Sequence, residues 1–392
     1  MLELESGKWR PLNVRGSSPQ YLRSGQLVYA TGSMLMAAPF DVERLEVAGA
    51  PVSIVEGVTA FERSGATEFA VAADGSLAGI WGEVATSDAR SVPVWMDRSG
   101  SVQTIPGLPV DTYTCARVSP DGKTLALDRG KGDIWTYDVA RATLTRLTTD
   151  PAKDQLPVWT PDSRKIVFRS NRGGETAALY WQNADGSGPA ERLASFPPPV
   201  DLAIPEGFTP DGAKLLLSRL IDDNLGTAMI SIGGDGKLET LIDSGVWEGI
   251  PAVSPDGNWI AYHAMAMGAN QFDVFVERFP QLGERRQVSV ERAVFPQWSA
   301  DGRELFFLGD DGRQVLAVSV KSGPRFEAEA PRVLFEGSFP SWWGQLRPYS
   351  VAPDGRFLIL RADESAADGP GPAVIYAQNW SDEVARKLAS SN

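Results

Sequence analysis

Pro157-Val158-Trp159-Thr160-Pro161-Asp162-Ser163-Arg164-Lys165-Ile166-Val167-Phe168 is the stretch from which the fold can be read. A short apolar run ends on an aromatic residue, a turn follows, and a second apolar run begins two residues later. In the turn, proline presets φ, aspartate tolerates left-handed backbone, and the fourth place, usually glycine, supplies positive φ. The same pattern recurs as Ser119-Pro120-Asp121-Gly122, Thr209-Pro210-Asp211-Gly212, Ser254-Pro255-Asp256-Gly257, Ser299-Ala300-Asp301-Gly302 and Ala352-Pro353-Asp354-Gly355. A weaker copy is Ala72-Ala73-Asp74-Gly75, and Leu22-Arg23-Ser24-Gly25 is a degenerate one. The fourth positions fall at 25, 75, 122, 163, 212, 257, 302 and 355, with gaps of 50, 47, 41, 49, 45, 45 and 53 residues. A period of about 40–50 residues is that of a four-stranded propeller blade.

The flanks of each turn read as buried strands, short apolar runs bounded by turn residues. Pro296-Gln297-Trp298 precedes one turn; Trp259-Ile260-Ala261-Tyr262, Leu305-Phe306-Phe307-Leu308 and Phe357-Leu358-Ile359-Leu360 follow others. A third strand comes next, as in Asp133-Ile134-Trp135-Thr136-Tyr137, and then a fourth, as in Thr145-Arg146-Leu147-Thr148. The fold expected is therefore all-β: a single-domain, eight-bladed β-propeller of four-stranded antiparallel blades, with seven blades as the alternative. The expected blades span 17–60, 61–110, 111–150, 151–196, 197–245, 246–291, 292–338 and 339–380. The last lacks a fourth strand of its own. Residues 1–16, through Gly7-Lys8-Trp9-Arg10-Pro11-Leu12, are expected to complete it and close the ring, which leaves only short protected edges. The tail 381–392 begins SDEVARKL, with Val384 and Leu388 four apart, and reads as a short helix on the outside.

Composition narrows the function. Gly 39 and Pro 28 in 392 residues are about 17%, against roughly 12% in average proteins, which favours turns over helices. Net charge is −13, and an acidic surface repels phosphate backbones, so nucleic acid is not an expected partner. Cys115 is the single cysteine, which excludes an intramolecular disulfide and a cysteine-based zinc site. His263 is the single histidine and the one candidate for a Ser-His-Asp triad. It follows a strand, no Gly-x-Ser-x-Gly occurs, and the preferred reading is a surface or inter-blade residue. No apolar stretch of about 18 residues occurs and MLELESGKWRPL lacks a signal-peptide pattern, so no membrane contact by this segment is expected.

The repeat, with its aromatic third strand and Arg-Leu-Thr fourth strand, resembles the TolB-type, WD40-like propeller. Leu27 to Val58, Asp133 to Asp162 and the terminal Asn379-Trp380 further resemble the C-terminal propeller of bacterial transmembrane serine/threonine kinases. That resemblance implies a non-catalytic sensor module, extracytoplasmic, with a kinase domain upstream in the native protein. A free-standing relative would be cytoplasmic. The chain carries no kinase motifs of its own.

Trp159 and Trp298 share a repeat position and read as core residues between blades, as do Trp95, Trp135 and Trp181 on third strands. The partner-binding candidates lie where each blade's first strand opens at the channel mouth: Tyr113, Asp154, Gln155, Glu206, Phe208, Trp247, Glu248, Phe295, Trp342, Trp343 and Arg347. Several are acidic, which predicts a negative mouth suited to a cationic ligand. The expected partner is a protein, a peptide or a small molecule. No catalytic residue and no cofactor is assigned. An axial calcium or magnesium ion is left open, and with it an alternative reading as a propeller hydrolase or lyase. A scaffold without a retained ligand is the third reading.

Overall fold

The computed structural model describes residues 11–12, 14–59, 67–81, 90–130, 132–174, 178–222, 224–265, 271–309, 312–321, 323, 325–337, 339, 347–363 and 373–390. The chain forms two compact units, one of residues 1–86 with 364–392, the other of residues 87–363.

The described residues of the larger unit form six antiparallel sheets. Sheet I holds Ala116–Val118, Thr124–Arg129, Asp133–Asp138 and Thr143–Arg146. Sheet II holds Asp154–Trp159, Lys165–Ser170, Ala178–Asn183 and Glu191–Ser195. Sheet III holds Val200–Phe208, Lys214–Ile221, Asn224–Ser231 and Glu239–Ile242, and sheet IV holds Glu248–Val253, Trp259–Met265, Phe272–Arg278 and Arg286–Gln287. Sheet V runs Ala293–Trp298, Glu304–Gly309, Gln314–Lys321, with Arg332–Glu336 outermost. Sheet VI joins the two ends of the unit: Tyr349–Val351 and Phe357–Ala362 pair with Arg90–Met96, and that strand pairs with Val102–Thr104. The first strands touch in cyclic order, I to II and onward to VI, and VI touches I. The unit is thus a ring of six blades.

The repeated turn builds this ring. In each of the six copies the fourth residue donates its N–H to the carbonyl of the first, as Gly122 does to Ser119 (2.8 Å) and Gly302 to Ser299 (3.0 Å). In the five copies that open on serine or threonine, the aspartate accepts from that residue's hydroxyl and from the backbone just after the turn, as Asp301 does from Ser299 Oγ (2.7 Å) and Arg303 N (3.1 Å). These bonds hold the carboxyl below its usual range. The turns also stack from blade to blade. Gly212 lies against Pro161, Gly257 against Pro210, Gly302 against Pro255, and Gly122 against Pro353, which closes the circle. Gly257 sits at φ 73°, a conformation natural to glycine.

Between the blades apolar side chains make up most of the core. Trp259, Ala261, Val274, Trp298, Leu305, Phe307 and Phe326 fill the space between sheets IV and V. Trp159 and Trp298 sit between blades as their repeat position implies: their indole N–H groups donate to the carbonyls of Arg117 (3.2 Å) and Ala252 (2.9 Å) on the preceding sheets.

The smaller unit has a five-stranded sheet of Ser17–Leu22, Gln26–Thr31, Met34–Asp41, Glu46–Val47 and Val52–Glu56. A second sheet combines Phe69–Val71, Leu77–Trp81 and Ala373–Ala377. The tail helix, Trp380–Ser390, is not an external ornament: Trp380, Val384 and Leu388 are buried in this unit's core with Val28, Leu35 and Leu77. Their spacing of four puts them on one helical stripe.

Strand pairing corrects the expected single ring. The expected second and eighth blades exchange halves. Phe357–Ala362 takes Arg90–Met96 as its neighbour, and Ala373–Ala377 pairs with Leu77–Trp81. Burial gives the reason. Phe357, Leu358, Ile359 and Leu360 are all buried, and their outer neighbour must be buried too. Val94, Trp95 and Met96 supply that, whereas Val374 and Tyr376 are 79% and 59% exposed and suit an edge strand. Residues 1–10 of the expected closing strand lie outside the described residues, and Pro11 and Leu12 are in no strand.

Candidate functional site

Counting from each turn locates the inner residues of the ring. Seven residues before the turn's fourth position stand Cys115, Leu156, Pro205, Ile250, Phe295 and Pro348. Around this place, sheets II to V show a break in strand register. Leu156, Ile250 and Phe295 have positive φ there, of 59°, 54° and 60°. Such bulges re-aim the chain and lift an N–H out of the ladder. A residue six places after the preceding turn captures each one. Leu156 N donates to Asp128 (3.1 Å), Ile250 N to Ser218 Oγ (2.9 Å), and Phe295 N to His263 Nδ1 (3.3 Å). Where the bulge position is Pro205 or Pro348, there is no N–H to satisfy, and the capturing place holds Arg169 or Leu308. His263, fully buried, is therefore an inter-blade strut, as its sequence context suggests.

A second strut lies two residues later. Gln297 Oε1 accepts from Val351 N (3.3 Å), and Ser350 Oγ accepts from Val118 N (3.2 Å), which ties sheet VI to sheet I.

Against this framework stands a charged group, of which Glu206 touches a strut by accepting from Ser218 Oγ. Arg117 comes from sheet I, Arg347 from the lead-in to sheet VI, and Glu206 from sheet III. Sheets III and VI are opposite in the ring, so charges that act on one another from these strands do so across its axis. Burial pushes the Glu206 carboxyl up to about 7, with Arg347 and Arg117 pulling it down and a hydrogen bond from Ser218 Oγ (2.8 Å) doing the same. Burial lowers the Arg347 guanidinium, the like charge of Arg117 lowers it further, and Glu206 opposes both. Arg117 Nη1 donates to the carbonyls of Ala116 (3.1 Å) and Arg347 (3.2 Å). Cys115, beside them, is buried and its thiol is pushed up to about 12, so it is not a nucleophile at neutral pH. Tyr349 donates to the Phe295 carbonyl at 2.6 Å.

The sequence-predicted residues distribute unevenly. Glu206 and Arg347 come together. Phe295 is buried beside His263 and Tyr349. Tyr113 is buried in the core between sheets VI and I, its hydroxyl donating to Pro109 O (2.9 Å). Gln155, Phe208 and Trp247 are half-buried. Trp342 and Trp343 lie outside the described residues.

Two of the three acids on which the negative mouth rested, Asp154 and Glu248, are already engaged. Asp154, fully buried, accepts from Ser170 Oγ (2.7 Å) and Arg172 Nη2 (2.6 Å). Glu248, also buried, accepts from Ser244 N and Oγ and lies 3.7 Å from Arg285. They hold turns in place and present no unpaired negative charge. Sequence reasoning passed over Arg117, which sits five before its turn's fourth position, where the other sheets carry Val158, Gly207, Ala252, Gln297 and Ser350. Its departure from the repeat was the available signal.

The three charged side chains offer a single oxygen-donor group to the axial calcium or magnesium ion left open by the sequence. Such ions take six to eight oxygen ligands, and here two guanidinium groups accompany one carboxylate. Among the described residues no group of three or more His, Cys, Asp or Glu gathers as a metal site.

No protein-family model matches the chain. It is 26% identical over 197 residues to an uncharacterized peptidase of Bacillus subtilis, YuxL, covering 39% of this chain and 29% of that protein. It is 27% identical over 150 residues to the Tol-Pal system protein TolB of Francisella tularensis, covering 37% of this chain and 34% of that protein. The chain thus spans about a third of the length of these two relatives. Among solved structures, a candidate TolB from Agrobacterium tumefaciens superposes with a TM-score of 0.55 at 18% identity, over 70% of this chain and 99% of that one. The likeness is one of fold, and the fold is a TolB-like β-propeller.

Proposed function

We propose that the chain is a non-catalytic binding propeller, taking a protein, peptide or small-molecule ligand at the axis of the six-bladed ring. One observation carries this reading: Arg117 Nη1 donates to the Arg347 carbonyl (3.2 Å), and the buried Glu206 carboxyl of sheet III acts on both guanidiniums, at places where the repeat needs no charge. Fold stability does not call for buried charge, which costs free energy unless fully paired. The resemblance to kinase-associated propellers extends the proposal: occupancy of the ring would be passed to a kinase domain outside this chain. A rigid ring would signal through docking, not through unfolding of a blade. The hydrolase or lyase alternative gains little from the axial donors, which are mainly cationic.

A thermal-shift screen tests the reading, using peptides, glycans, nucleotides and divalent cations, with and without chelator. The expected result is that one non-metal class raises the melting temperature of the wild type and fails to do so with Arg117→Gln. A shift produced by calcium or magnesium alone and reversed by chelator, or turnover of a peptide or glycan in the panel, would overturn it.

A further inference from the structure

Among the described residues, Arg347 is the group in the ring whose chemistry is least satisfied. It is 5% exposed. Its Nε and Nη2 are buried and donate to no acceptor, and neither does the buried Nε of Arg117. A guanidinium has five N–H donors in a planar fork and stays charged at any ordinary pH. The carboxyl acting on both arginines, Glu206, accepts its hydrogen bond from Ser218 Oγ instead. Arg117 is fixed by its two backbone carbonyls, so its remaining donors are pre-set. Two guanidiniums therefore share Glu206 as the one carboxyl that acts on both, in a site where burial strengthens any charge interaction.

We propose that Arg117 and Arg347 form a carboxylate-binding site at the axis of the six-bladed ring. The parallel N–H pairs of a guanidinium match the two oxygens of a carboxylate, and such bidentate pairs are the strong ones. The ligand is the terminal carboxylate of a peptide or a small organic acid, whose negative charge offsets the two guanidiniums. This sign is opposite to the cationic ligand that the acidic residues of the mouth suggest from sequence. The inference deepens the binding-propeller reading and rests on it.

The test compares ligands that differ only in charge. Thermal shift and calorimetry at fixed ionic strength and pH would be run on the whole chain with short peptides ending as free acids, the same peptides as C-terminal amides, acetate, and chloride as control. Free acids should raise the melting temperature where amides and chloride do not. Arg347→Gln should weaken the acids at least tenfold, with Arg347→Lys intermediate. Because the acid–amide contrast is measured on the wild type, it stands even if a variant misfolds. Peptide acids acting where acetate does not would identify a chain terminus as the source; equal action would identify a small acid. Identical responses to acid and amide, or full retention of binding in well-folded Arg347→Gln, would overturn the site and show that water satisfies the guanidinium. In that event a peptide bound equally as acid and amide would leave the binding propeller standing, so the two failures are distinguishable.

Discussion

His263 shows how a single residue can look catalytic and be structural. Its Nδ1 accepts the Phe295 N–H that the bulge releases from the ladder, and its ring packs against Phe272 and Phe295. His263→Leu would keep the volume and leave a buried donor unpaired, a loss of about 1–3 kcal/mol, measurable by urea denaturation. Glu206 makes a second prediction at this scale. Its folded pKa lies above its unfolded value, so the folded state binds the proton more tightly. Its contribution is fully favourable below about pH 4.5 and is lost as pH rises through about 7, where the buried carboxyl ionises. Glu206→Gln should flatten stability over that window. A slope unchanged by the substitution would assign the pH dependence to other groups.

At the scale of the element, the turn and the bulge divide the work of each blade. The turn is legible from sequence because its chemistry is local: a proline, a capping aspartate and a residue with positive φ act within four positions. Gly257→Ala would force a side chain into φ 73° and should cost about 1–2 kcal/mol, read as a lower denaturation midpoint with an unchanged m-value. The bulge is less legible. Nothing local in Glu248–Val253 announces that Ile250 adopts positive φ, because the partner of its N–H, Ser218, stands 32 residues earlier. Only when the blades are aligned on their turns does the pairing of Asp128, Ser218 and His263 with non-proline bulges emerge.

At the scale of the molecule, ring closure is the decisive event. Sheet VI is completed by strands from both ends of residues 87–363, and the stack of turns returns from Pro353 to Gly122. Arg98, just after Arg90–Met96, adds a bidentate pair to Glu304 of sheet V at 2.7 Å for both bonds. Residues 87–363 contain every strand of the ring, and that segment expressed alone should unfold in one cooperative transition by circular dichroism and calorimetry. A molten segment with no transition would show that residues 87–363 do not close the ring by themselves.

The sequence by itself determined the blade: its period, its four antiparallel strands, its turn chemistry and the inter-blade place of Trp159 and Trp298. Each of these depends on neighbours within one repeat or on its regular recurrence. Tertiary structure alone decided which strands complete which sheet, because Arg90–Met96 and Ala373–Ala377 both read as third strands and differ only in how deeply their partners bury them. It also decided the character of the axis. Sequence counts charges along the chain, whereas Asp154 and Glu248 are neutralised by arginines folded back onto them, and Arg117 and Arg347, 230 residues apart, meet only when the ring closes.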